Sequence, residues 1–376
     1  MDNPNLIYQW EVFEDIFEDT PEEIPEEIKK VACVIPDVPY SFTDENQSDR
    51  RTYDLLLPIG FPPPYPLIVF FHGGGFVAGD KYAAFKEKFI DITLELLKNG
   101  CAFATVNYRF HDDLTVTEGI LDSLVDCKQA IVHLRDTTKE AIIQLLNNPM
   151  DMKDTNCVKT IIRLNKMLEN EAKIINATKI GLMGSSGGGM IVLYLGVNHG
   201  HETNEYQAIV ALTTQATLNI YRWPEILFPG QVDLSSGIRD NFTNLIQYIG
   251  YFSKMYEYIS FEVLQQIVNN LDFLEDIHVK MPPTYIANTL KFKAENQDWG
   301  KIYTLHHPTF SKAIYDKAQQ LGIVEPDFYV YVPFVDPPIG AEMMTIPSPA
   351  IGTPPLHFFI HPKYSPAEFL LKYVKV

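Results

Sequence analysis

Three observations predict an α/β fold for this chain, with a mostly parallel central sheet and helices on both faces. Apolar runs of strand length alternate with stretches of helical spacing along most of the sequence. One run, "LIVFF" (67–71), is apolar at every position, as a strand buried on both faces must be. A third run, "KIGLMG" (179–184), passes directly into a glycine-rich turn and then into "MIVLYLG", a helix-like segment.

The elements follow in order. "TYDLLLP" (52–58) reads as an early strand, stopped by the proline-rich turn "IGFPPPYP". After strand 67–71, residues 82–98 show helical spacing at Phe85, Phe89, Ile92 and Leu96. "CAFATVNY" (101–108) is the next strand and 117–135 the next helix. Strands at 179–184 and 208–214 are central, followed by strands at 283–288 and 328–334 and helices at 309–321 and near 365–374. Two stretches exceed what a connection needs. Residues 136–172 contain two helix-like segments, "EAIIQLLNN" and "VKTIIRLNKML". Residues 221–280 are rich in Tyr, Phe and Leu at helical spacing. Lying after a central strand, at the carboxyl edge where ligands bind in such sheets, they are expected to form a helical lid. Residues 1–50 are expected to be an acidic arm and lead-in, and 51–376 one domain carrying both insertions.

Bulk properties remove several function classes. A chain of 376 residues, 46% apolar and 21% charged, describes an ordinary globular protein. Its net charge of −18 disfavours nucleic acid and anionic membrane surfaces as partners. Residues 1–28 alone hold ten acids and no Lys or Arg, which reads as a solvated arm. No apolar run reaches the length of a membrane span, and "MDNPNLIYQWEVFED" lacks the basic start and apolar core of a signal peptide. A cytoplasmic location is the resulting expectation, in which the N-x-[ST] sequons at Asn46, Asn176 and Asn241 have no role. The four cysteines (Cys33, Cys101, Cys127, Cys157) form no C-x-x-C and read as free, mostly buried thiols. The pairs His199/His201 and His306/His307 have no further ligands at familiar spacing, so neither a metal nor a cofactor is expected.

The chemistry is concentrated in "LMGSSGGGM" (182–190). A G-x-S-x-G turn between strand and helix holds its serine hydroxyl out of the sheet. Only Ser186 has that frame, between Gly184 and Gly188; Ser185 would need glycine where Met183 stands. Ser186 is therefore the candidate nucleophile. A second motif, "FFHGGGF" (70–76), follows strand 67–71. Acyl transfer passes through a tetrahedral oxyanion that preorganised backbone N–H groups stabilise. Gly74 and Gly75 are candidates for two such donors and Gly187 for the third, while His72 is expected to buttress the loop.

With "HGGGF", with "VNYRF" (106–110) followed by "SLVDCKQAIVHLR", and with "KIGLMGSSGGG", the chain resembles the α/β-hydrolase family, within it the carboxylesterases of the hormone-sensitive-lipase and feruloyl-esterase-like type. The resemblance covers most of residues 52–374. It implies hydrolysis of carboxylic esters through an acyl-serine intermediate, without a cofactor. It also implies that Tyr108 and Arg109 shape the core beside the oxyanion loop. The family's order of serine, acid, histidine puts the base after the last strand. There His357, ahead of Phe358, fits best and His361 is the rival. The acid is expected in the loop after strand 283–288, where Tyr303 and Thr304 occupy the usual place. Asp298 is the choice, with Glu295 and Asp336 as alternatives. That departure keeps a second reading open, a degenerate hydrolase that binds a ligand or partner without turnover. The expected substrate is a small ester with an apolar or aromatic group, suggested by Tyr221, Trp223, Phe228, Tyr248, Tyr251 and Phe252 in the lid.

Overall fold

The computed structural model describes residues 23–41, 50–110, 119–136, 155–169, 173–203, 205–227, 261–287, 306, 309–323, 328–331, 343–346, 356–359 and 365–375. Its centre is an eight-stranded sheet built from β1 (Ala32–Pro39), β2 (Thr52–Pro58), β3 (Tyr65–Phe71), β4 (Ala102–Val106), β5 (Ile175–Ser185), β6 (Ala208–Leu212), β7 (Thr284–Ala287) and β8 (Phe328–Tyr331). The spatial order is β1-β2-β4-β3-β5-β6-β7-β8. β2 runs antiparallel to both β1 and β4, and the strands from β4 through β8 are parallel. The predicted mostly parallel sheet is the observed one.

Strand periodicity explains the two layers of core. Along β3, Leu67, Val69 and Phe71 enter one buried cluster while Ile68 and Phe70 enter the other. Alternate side chains leave a strand on opposite faces, so a strand with helices on both sides has to be apolar throughout. On one face lie α1 (Glu26–Lys29), α2 (Glu87–Lys98) and α10 (Pro366–Val374). On the other lie α3 (Ile120–Asp136), α4 (Thr155–Glu169), α5 (Gly187–Thr203), α6 (Trp223–Leu227), α7 (Phe261–Asn270), α8 (Phe273–Asp276) and α9 (Thr309–Gln320).

Three features differ from the sequence expectations. The lead-in contains β1, the antiparallel edge strand, in which Pro36 and Pro39 are tolerated because an edge strand need not donate on both sides. A register shift between Ile35 and Val38 leaves Asp37 in the left-handed region at φ 52°. A second, two-stranded antiparallel ribbon forms from β9 (Met343–Ile346) and β10 (Leu356–Phe359) within the proline-rich insertion. Finally, Cys33 is disulfide-bonded, whereas Cys101 and Cys127 are free and buried as expected. Wide spacing in sequence conceals such a link, because only the fold decides which sulfurs approach.

Both ends of the expected lid that fall within the described residues are helical and anchored to the body. Arg222 donates to Asp272 at 2.7 Å and to Glu275 at 2.6 Å, and Thr217 Oγ1 donates to Asp272 at 2.7 Å. Trp223, proposed as a lid aromatic, is buried in the core. Its indole N–H donates to the Thr217 carbonyl and its ring meets Phe310 edge-on at 5.4 Å. Phe228, Tyr248, Tyr251 and Phe252 lie outside the described residues.

Candidate active site

β5 ends in Ser185, and α5 begins at Gly187. Ser186 alone makes the turn between them, at φ 53°, a conformation that costs an L-residue free energy and that is held here by its neighbours. Its N–H donates to the Leu212 carbonyl at 2.9 Å, and its carbonyl accepts from Met190 at 3.1 Å. The flanking glycines are required by space. A Cβ at Gly184 would lie 2.1 Å from the Gly188 oxygen, and one at Gly188 would lie 2.0 Å from the Phe71 oxygen. Each distance is far inside van der Waals contact, so the spacing of the motif follows from three chain segments meeting at one point.

The glycine loop after β3 folds over this turn. A Cβ at Gly73 would stand 3.0 Å from the Ser186 Cβ, and one at Gly187 would stand 3.4 Å from the Gly75 nitrogen. Gly74 sits at φ 117°, and a Cβ there would overlap the Ala78 oxygen at 2.0 Å. The Gly74 carbonyl accepts from Val77 and Ala78, both at 3.1 Å, which closes the loop on itself. Gly73 thus lies against Ser186 and Gly75 against Gly187, with Gly74 between them in the same loop. Gly187 also opens α5, where the first N–H groups have no intrahelical partner.

His72 is fully buried beneath the loop. Its ring stacks on Tyr108 with centroids 4.5 Å apart, and the Tyr108 hydroxyl donates to the His72 carbonyl at 2.8 Å. Burial, then the adjacent Arg50 guanidinium, push the imidazole down to about 3, against the opposing pull of the Gly73 carbonyl. His72 is therefore neutral near pH 7. Arg109 grips Asp126 of α3 through Nε at 2.8 Å and Nη2 at 2.7 Å. Tyr108 and Arg109 accordingly act where the sequence puts them, in the core behind the loop.

Among the described residues, the histidine within hydrogen-bonding distance of Ser186 is His306. Its Nε2 lies 2.7 Å from Ser186 Oγ, and the residue is buried. It precedes α9, in the connection that leaves the carboxyl end of β7. β5, β6 and β7 are parallel neighbours, so the connections after β5 and β7 emerge on the same edge of the sheet. His357, the base expected from sequence, stands instead in β10, paired with Thr345 in the separate ribbon, and its side chain is not among those described. That His306 is not a candidate in the sequence has a physical basis. The family order places the histidine beyond the last sheet strand, whereas here a histidine reaches the serine from the connection after β7, the expected place of the acid. His361, Asp298, Glu295 and Asp336 lie outside the described residues. Among the described residues no group of His, Cys, Asp or Glu could hold a metal ion.

Residues 53–147 match the BD-FAE family model, an α/β-hydrolase esterase family. That segment spans β2, the glycine loop and α3, and stops short of Ser186. Among curated proteins, none matches the sequence. Similar solved structures include a truncated carbohydrate esterase from gut microbiota, at 14% identity over 82% of this chain and 90% of that one, with a TM-score of 0.49. An arylesterase is 13% identical over 88% and 83%, at 0.47. Esterase B from Lactobacillus rhamnosis is 12% identical over 88% and 82%, at 0.49.

Proposed function

We propose that this chain, an α/β-hydrolase and by its family match a carboxylesterase, cleaves carboxylic esters through an acyl intermediate on Ser186, with His306 as the base. The contact of 2.7 Å between Ser186 Oγ and His306 Nε2, on a left-handed turn, carries the reading. As Oγ attacks the carbonyl carbon, Nε2 takes its proton. The resulting oxyanion is met by the N–H groups of Gly74, Gly75 and Gly187; the approach of Gly75 to Gly187 and of Gly73 to Ser186 supports that role. Collapse expels the alkoxide, which recovers the proton from His306. Water, deprotonated by the same nitrogen, then releases the acid and restores the serine.

The substrate is a small neutral ester, since a net charge of −18 repels anions. The Cys33 disulfide favours an oxidising compartment over the cytoplasm. Among the described residues no helix is long and apolar enough to cross a membrane. The test is turnover of p-nitrophenyl acetate and butyrate by the wild type and by Ser186→Ala. Turnover that disappears with the hydroxyl supports the proposal. A wild type inert across acyl lengths would favour the non-catalytic binder instead.

A further inference from the structure

We infer that Arg50 is a positioning residue for the oxyanion loop, holding His72 in one tautomer and tying the two ends of the glycine loop together. The inference rests on the esterase reading for its kinetic consequence, though not for the contacts that carry it. Arg50 lies just ahead of β2, distant in sequence from the loop it touches. Its Nη2 donates to the Gly79 carbonyl at 2.8 Å and stands 3.4 Å from both His72 Nε2 and Asn107 Oδ1. Its Nε donates to the Tyr108 carbonyl at 3.1 Å, and its Cζ lies 3.7 Å above the Phe110 ring.

Arginine has five N–H donors and no acceptor. At the Arg50 contact, therefore, His72 Nε2 must accept, and the ring proton must sit on Nδ1. The other side of the ring gives the same answer independently: Nδ1 lies 2.6 Å from the Gly73 carbonyl, which can only accept. Two contacts on opposite nitrogens select one neutral tautomer. In that tautomer the Gly73 carbonyl is held toward the imidazole, and Gly73 is the loop residue whose Cβ would stand 3.0 Å from the Ser186 Cβ.

The second half of the hold is at Gly79, the far end of the loop. A Cβ there would lie 2.4 Å from the Gly73 oxygen and 2.5 Å from His72 Nδ1, so the two loop ends are in contact. Arg50 binds one end through the Gly79 carbonyl and the other through His72. Asn107 reinforces the same junction, donating to Asp80 at 2.9 Å and accepting from the Lys81 N–H at 2.7 Å. A lysine at position 50 could not reproduce this arrangement, because a single ammonium cannot reach acceptors on three segments while stacking on a ring.

The kinetic test compares wild type with Arg50→Ala and Arg50→Lys on p-nitrophenyl acetate. A misplaced oxyanion loop should lower kcat by about 10- to 100-fold with KM within roughly threefold, in both variants. Guanidinium ion should return part of the kcat of Arg50→Ala and none of that of Ser186→Ala. Wild-type kcat in both Arg50 variants would overturn the inference. A second measurement does not depend on turnover. In protein labelled with 15N-histidine, the His72 resonances, identified by their loss in His72→Asn, should report Nδ1–H and bare Nε2 over about pH 5–8. An Nε2–H tautomer or an imidazolium in that range would overturn it. A wild type that is inert toward esters but shows the Nδ1–H tautomer would defeat the esterase proposal and leave the Arg50 contact standing.

Discussion

A serine hydroxyl is a weak nucleophile until a base stands ready for its proton, and in the proposed mechanism that base is His306, 2.7 Å from Ser186 Oγ. Removing that base should cost about 10²–10⁴ in kcat. His306→Asn is expected to show such a loss, and His357→Asn to stay within roughly twofold of wild type by the same reasoning. The double variant Ser186→Ala/His306→Asn should be no slower than Ser186→Ala alone, because residues that act as a unit are not additive. Release of p-nitrophenol from p-nitrophenyl acetate measures all three, and a large loss in His357→Asn alone would return the base to β10. The turn that carries Ser186 was legible in the sequence, since Gly184 and Gly188 are forced by backbone contacts that a G-x-S-x-G spacing satisfies. The histidine was not. Its position depends on where a connection of about twenty residues after β7 ends in space, and no local pattern in "TLHHPTF" encodes that.

Elements buried along nearly their whole length could be read directly: β3, β4 and β6 are mostly apolar runs because helices cover both faces. β1 was hidden by its prolines and its bulge, both of which an edge strand accommodates. The bulge has a consequence for stability. It turns Asp37 toward Lys81, whose ammonium also pairs with Asp54 of β2, and Lys81 and Asp54 are buried. Burial raises the pKa of the Asp54 carboxyl against the opposing pull of Lys81. Lys81→Met would strand that carboxylate in the interior and is expected to destabilise by about 3–5 kcal/mol. Lys81→Met/Asp54→Leu should recover most of the loss, since an apolar pair of similar volume replaces the ions. Urea titrations read both. At the other end of the chain, α10 opens with a capping box: Ser365 Oγ accepts from the Glu368 N–H at 3.0 Å, and Glu368 Oε2 accepts from the Ser365 N–H at 2.7 Å. Ser365→Ala should cost about 1 kcal/mol and leave kcat unchanged, because α10 packs on the face of the sheet remote from Ser186's helix α5.

For the molecule as a whole, acid is the condition under which the buried site and the surface charge act in opposite senses. Lowering the pH neutralises carboxylates, which relieves the self-repulsion of a chain carrying −18 at pH 7. His72 works against that gain. In the unfolded chain it titrates near 6.5, and in the folded protein at about 3, pushed down first by burial and then by Arg50, with Asp80 and the Gly73 carbonyl pulling weakly the other way. Between those values the unfolded state binds a proton that the native state refuses. The contribution of His72 to stability is therefore fully present above about pH 6.5 and is lost as the pH falls toward 3, by up to about 1.4 kcal/mol per unit. His72→Asn keeps a donor for the Gly73 carbonyl and has no proton to gain. Its stability should start below that of wild type at pH 7 and converge with it as the pH drops, the difference shrinking most between about 6 and 4. Guanidinium melts of the pair at matched pH isolate this difference, because the remaining titrating groups are common to both. Parallel curves would mean that His72 takes up its proton inside the folded protein at an ordinary pKa, a result incompatible with Arg50 pressed against its Nε2.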